Sequence, residues 1–107
     1  MPIVVQAGQD ARLFDGQFTV GRASAVDLVI EGDAYVSTRH AVFFARGDEW
    51  FVEDLGSTNG TRCNEERVYG PHPLAKGDRV RVGRTVLTVV PVVTGPAQPD
   101  AWQLEAP

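Results

Sequence analysis

The sequence predicts an all-β domain, a sandwich of short antiparallel strands. Three observations carry that expectation. Apolar and polar residues alternate over short runs, as in Arg79-Val80-Arg81-Val82, which is the period of a half-buried strand. Turn residues recur about every 6–12 positions, the spacing of a sandwich or barrel. No window of helical length shows a clean 3.6-residue period.

The elements follow in order. Ile3-Val4-Val5-Gln6 and Arg12-Leu13-Phe14 mark strands 3–6 and 11–14. Asp15-Gly16 then separates 11–14 from 17–21. Asp-Gly tolerates the positive φ angles of a tight turn, so these two strands are expected to form a hairpin. Shorter apolar pieces suggest strands 28–30 and 35–37. Val42-Phe43-Phe44 and Trp50-Phe51-Val52 are aromatic and β-branched, and mark 40–46 and 50–54 around Gly47-Asp48. Strands 61–63 and 67–69 flank Asn64-Glu65-Glu66, and Lys76-Gly77-Asp78 precedes 79–82. The run Thr85 to Val90 is β-branched almost throughout and anchors 85–92. The domain is expected to occupy 1–93, and the Pro-rich stretch 94–107 to be a tail or linker in which Trp102 and Leu104 could dock on the domain or on a partner.

Composition narrows the function. A chain of 107 residues, 43% hydrophobic, buries roughly two-thirds of its unfolded surface, so it needs no staple. The lone Cys63 excludes an internal disulfide framework and a Cys-rich zinc site, and neither metal nor cofactor is expected. No run reaches the ~20 apolar residues of a membrane helix. The start, Met1 to Gln6, lacks the basic region of a signal peptide, so a cytoplasmic location without membrane contact is expected. Ten basic against fourteen acidic residues give a net charge of −4, which argues against nucleic-acid binding. Nine of the ten basic residues are Arg, a bias that a GC-rich genome would also produce.

Three segments stand out: Gly21-Arg22 at a strand end, Ser37-Thr38-Arg39-His40 between strands, and Gly56-Ser57-Thr58-Asn59-Gly60-Thr61 in a loop. Singly, each has a plain reading. Gly21 lets a strand leave the sheet, Arg22 is a solvated charge, the hydroxyls are turn residues, and His40 bonds loop backbone. Jointly they are the donor set a phosphate dianion needs. Arg supplies charge and two parallel N–H bonds, hydroxyls and backbone N–H groups supply the rest, and Asn can grip an extended peptide backbone.

The order and spacing of Gly21-Arg22, Asp27 to Ile30, Val36 to Ala41, Asp54 to Thr61 and Leu74 to Gly83 closely resemble a forkhead-associated (FHA) domain. The resemblance runs from about Phe18 to Val90. It implies an eleven-stranded antiparallel β-sandwich of the SMAD/FHA type that binds phosphothreonine peptides through loops at one end. By that resemblance Arg22 and Ser37 contact the phosphate, with Thr38 and Arg39 beside them. Thr38 stands where the family often has Asn, Lys or Arg and offers a hydroxyl without charge. Thr58 and Asn59 match the loop that holds the peptide backbone, and the phosphothreonine methyl enters a small pocket near it. Gly21, His40, Ser57 and Gly60 match structural positions. Asp33 and Tyr35 lie in the loop that reads the residue three places after the phosphothreonine, where an apolar or aromatic residue is expected over an acidic one. The implied partner is a phosphothreonine protein, a Ser/Thr kinase or its substrate, met by a monomer; the wording resembles high-GC Gram-positive bacterial FHA domains.

Two rival readings differ in class. One is an interaction domain of the same fold that ignores phosphate. The other is a hydrolase with Ser37 or Ser57, His40 or His72 and an Asp as a triad, for which no nucleophile-elbow motif is present.

Overall fold

Alternating side chains set up two apolar faces, and the chain stacks them. The computed structural model describes residues 2–92; Val93, the expected tail 94–107, and Trp102 and Leu104 with it, lie outside the described residues. Eleven strands form among the described residues: β1 Ile3–Ala7, β2 Asp10–Phe14, β3 Phe18–Gly21, β4 Leu28–Val29, β5 Ala41–Arg46, β6 Glu49–Asp54, β7 Thr61–Cys63, β8 Glu66–Val68, β9 His72–Leu74, β10 Arg79–Val82 and β11 Thr85–Pro91. One sheet has the order β2-β1-β11-β10-β7-β8, the other β4-β3-β5-β6-β9. Inward residues of both sheets, among them Ile3, Phe18, Val20, Phe43, Trp50, Val52, Val80, Val82, Leu87 and Val89, are almost wholly buried. Together they form one core between the two sheets. Phe18 stacks on Phe43 at 4.8 Å.

Four details depart from the sequence expectation. Asp15-Gly16 does not turn a hairpin, because β2 and β3 belong to different sheets. The link carries the chain around the sandwich edge, where Phe14 and Phe18 stack at 3.9 Å, and Gly16 needs no positive φ. Residues 35–37 are not a strand: the Asp33 carboxylate accepts the Tyr35 N–H and the Asp33 carbonyl accepts the Val36 N–H, which closes a turn. β9 was hidden by Pro71 and Pro73; it is an edge strand, one of the places in a sheet that tolerate proline. Finally, β4 runs parallel to β3, pairing Val20 with Leu28, whereas the other ladders are antiparallel.

The loops that carry the three singled-out segments meet at one end of the sandwich. The Ser37 carbonyl accepts the Arg22 N–H at 2.9 Å, and the His40 carbonyl accepts the Leu55 N–H at 2.9 Å. The β10–β11 turn joins them through the Arg84 N–H, which bonds Asp33 at 2.8 Å.

Candidate functional site

Arg22 leaves β3 and lies against the 33–37 turn. Its Nε donates to the Val36 carbonyl at 2.8 Å, and among the described residues its two terminal nitrogens have no protein partner. The close approach depends on Gly21: a Cβ there would stand 2.1 Å from the Thr38 carbonyl oxygen. Val36, fully buried, plugs the turn into the core. Ser37 therefore has a fixed backbone beside Arg22. Its Oγ accepts the Thr58 N–H at 3.0 Å, which leaves its own proton to donate outward.

Two buried hubs brace these loops. His40 is wholly buried. Its Nδ1 accepts the Ser37 N–H at 3.0 Å, and its Nε2 lies 2.8 Å from the Gly60 carbonyl. An amide can only donate, so the proton sits on Nε2 and the ring clamps the 36–40 turn to the 55–60 loop. Asp54 is the second hub. One oxygen accepts the Gly56 and Ser57 N–H groups at 2.9 and 3.0 Å, and the other accepts the Ser57 and Thr61 hydroxyls. Burial pushes the Asp54 carboxyl up, but the Ser57 and Thr61 hydroxyls and the two N–H groups outweigh it and hold the pKa below the ordinary carboxylate value. Ser57 Oγ in turn accepts the Gly60 N–H at 2.9 Å. Gly60 has φ +84°, and a Cβ there would stand 2.6 Å from Arg67 Nε. Asn59, exposed at the loop tip, donates from Nδ2 to the Tyr35 carbonyl at 2.9 Å.

Arg22, Ser37, Thr58 and Asn59 thus share one rim, linked by bonds through the 35–37 turn. Thr38 and Arg39 are also exposed, but they line a hollow with Thr19, Ala23, Ala25, Val26 and Asp27 on the outer side of the 22–27 loop. Asp33 is turned inward. Its carboxylate accepts the Tyr35 and Arg84 N–H groups and the Thr85 hydroxyl at 2.7 Å, so it ties its loop to the β10–β11 turn instead of facing a ligand. Burial raises its pKa, and the Thr85, Arg84 and Tyr35 bonds outweigh that and lower it. Tyr35 stays 46% exposed, with the Arg84 guanidinium 4.4 Å over its ring. Sequence reasoning gave no role to Asp54 or Arg84. An Asp three residues before Ser57 is a turn-capping signature that could have flagged the first; Arg84 reaches the rim only through the fold.

The triad reading loses His40. Both His40 nitrogens are committed to backbone groups, and His72 stands on β9, an edge strand of the second sheet. Among the described residues no cluster of three metal-ligating side chains forms, and no helix is long and apolar enough to cross a membrane.

Comparison with known proteins places the geometry. The FHA domain family model matches residues 18–83. The chain is 44% identical over 85 residues to the FHA domain-containing protein FhaB of Mycolicibacterium smegmatis, covering 79% of this chain and 54% of that one. It is 39% identical over 103 residues to the glycogen accumulation regulator GarA of the same organism, covering 92% and 62%. The chain therefore spans about half to three-fifths of these relatives' length. Among solved structures, one from a study of phosphothreonine-dependent FHA domain interactions superposes with a TM-score of 0.76 at 27% identity, covering 90% of this chain and 99% of that one. The FhaA FHA domain, solved with the intracellular domain of Rv3910, gives 0.71 at 30% identity, covering 81% and 98%. With a two-sheet sandwich, a matching family model and close relatives in agreement, this chain belongs to the FHA domain family.

Proposed function

We propose that this domain binds phosphothreonine on an extended segment of a partner protein, a Ser/Thr kinase or one of its substrates, and catalyses nothing itself. The observation that carries the reading is the shared rim: Arg22 with its terminal nitrogens free, beside a Ser37 hydroxyl whose proton is left to donate. A phosphate with roughly −1.5 to −2 charges takes the guanidinium fork and short hydroxyl bonds. Asn59, braced on the Tyr35 carbonyl, keeps its amide oxygen for the peptide backbone, and Thr58 stands next to it. His40, Ser57, Gly21 and Gly60 hold these groups in place. Thr38 and Arg39 lend the adjacent surface a hydroxyl and a positive charge. The two solved FHA domains described above, one studied for phosphothreonine-dependent interactions and one bound to a protein domain, support the same reading.

The residue three places after the phosphothreonine meets Tyr35 together with Arg84, since the Asp33 carboxylate is spent inside the loop. The guanidinium removes the reason to disfavour an acidic residue there.

Arg22→Ala tests the function. Leaving the phosphate unpaired on a partly desolvated rim costs about 2–5 kcal/mol. Binding of an oriented phosphothreonine peptide library, read by fluorescence polarisation, should vanish while the exposed substitution leaves the fold intact. Arg22→Lys should recover only part of it, because a point charge lacks the fork. Unchanged affinity in Arg22→Ala, or equal binding of the unmodified library, would favour the phosphate-independent alternative.

A further inference from the structure

The outer face of the larger sheet carries arginines in one cross-strand row. Arg81 of β10 pairs with Arg62 of β7, and Arg62 pairs with Arg67 of β8. Each points outward, because its strand neighbours Val80, Val82, Thr61, Cys63 and Val68 are buried. Three adjacent strands place these charges along a line of about 10 Å. Like charges directly opposite in a ladder destabilise a sheet. Compensation is slight among the described residues: Glu65 reaches Arg81 Nη2 at 3.3 Å, while Arg62 bonds only the Glu65 backbone carbonyl. Arg79, exposed on the same face of β10, adds a further charge. This basic row stands on a chain whose net charge is −4.

The row is continuous with the peptide site. The Arg67 guanidinium lies against Gly60, the residue after Asn59. A partner chain that left the rim past Asn59 would meet Arg67 first.

We propose that this row is a second docking surface for the same partner, taking an acidic stretch of chain that flanks its phosphothreonine. This rests on the phosphothreonine reading above. Guanidinium groups hold carboxylates by the planar fork, and an extended chain presents every second side chain about 7 Å apart, so two carboxylates fit the row. Because the pairs are exposed, they add modest affinity that salt removes.

The test uses two phosphothreonine peptide pools, degenerate around the phosphothreonine, one flanked by runs of glutamate and one by glutamine. At low salt the wild type should bind the glutamate pool roughly three- to tenfold more tightly, and the gap should close near about 0.5 M salt. The Arg62→Gln, Arg67→Gln, Arg81→Gln variant should lose that advantage yet bind the glutamine pool as the wild type does. Should the triple variant not fold, Arg62→Gln alone removes the centre of the row and should halve the advantage or more. Equal affinity for both pools in the wild type, or an advantage that survives in the variants, overturns the proposal alone. If neither pool outbinds its unphosphorylated twin, the phosphothreonine reading fails and the proposal with it. Arginine-dependent binding to phosphatidylserine vesicles without any glutamate preference assigns the face to a membrane and also overturns it.

Discussion

Removing the Asp54 carboxylate should loosen the 55–60 loop and destabilise the domain together. Four donors converge on it: the Gly56 and Ser57 N–H groups and the Ser57 and Thr61 hydroxyls. A hydrogen bond to a charged group contributes about 1.5–3 kcal/mol net, which would overshoot if summed over four. Gly56 is exposed and its N–H can turn to water, and the half-buried Ser57 hydroxyl can rotate. Thr61 is wholly buried, so its hydroxyl keeps the full penalty. Asp54→Ala should then cost about 2–4 kcal/mol, a fall of roughly 10–25 °C in Tm for a domain of this size. Asp54→Asn keeps one acceptor and should cost about half as much. The loop carries the Thr58 N–H that bonds Ser37 Oγ, so phosphopeptide affinity measured below the transition should drop at least about tenfold by the same disordering. The assays are thermal unfolding by circular dichroism and fluorescence polarisation. An Asp54→Ala protein with Tm within a few degrees of wild type and unchanged affinity would refute the hub.

Gly21→Ala should be severe, because the new methyl would lie 2.1 Å from the Thr38 carbonyl oxygen, whereas Gly16→Ala meets no atom within 4 Å and should leave the urea midpoint unchanged or slightly raised. Asp33, Asp54 and Asp78 all have lowered pKa values. Their stabilisation is complete above the unfolded carboxylate value of about 3.9 and is lost as pH falls through the lower folded values, so the urea midpoint should hold from neutral pH to about 5 and fall below about 4. Asp33→Asn should flatten that acid loss, which a pH series of unfolding curves reads directly. Burial pushes the Cys63 thiol up to about 11, with Asp78 adding to the shift, so iodoacetamide at pH 8 should modify the native protein far more slowly than the urea-unfolded chain.

Local chemistry made most of the fold legible. Val80 and Val82 alternating with Arg79 and Arg81 announced β10, and Asn64-Glu65 announced the β7–β8 turn, where both residues do take positive φ. What escaped was decided by distant partners. Asp15-Gly16 carries a strong hairpin signature, but whether flanking strands pair depends on which sheet each joins, and Phe14 and Phe18 satisfied each other across the edge instead. The 35–37 stretch has strand composition, yet local acceptors captured its N–H groups: the Asp33 carboxylate takes that of Tyr35, the Asp33 carbonyl that of Val36 and the His40 ring that of Ser37. At the site, residue types pointed to Arg22, Ser37 and Asn59, and the fold brings them to one rim. The supports were less visible, because Asp33 meets Arg84 and Thr85 across about fifty residues of chain.

The most direct measurement is a map of backbone amide chemical shifts as a library-selected phosphothreonine peptide is added to the isotope-labelled domain. The account predicts that the largest changes fall on Arg22, Ser37 to His40 and Thr58 to Gly60, and that the unphosphorylated peptide produces none of them. Changes centred on the sheet faces, with this rim undisturbed, would contradict it.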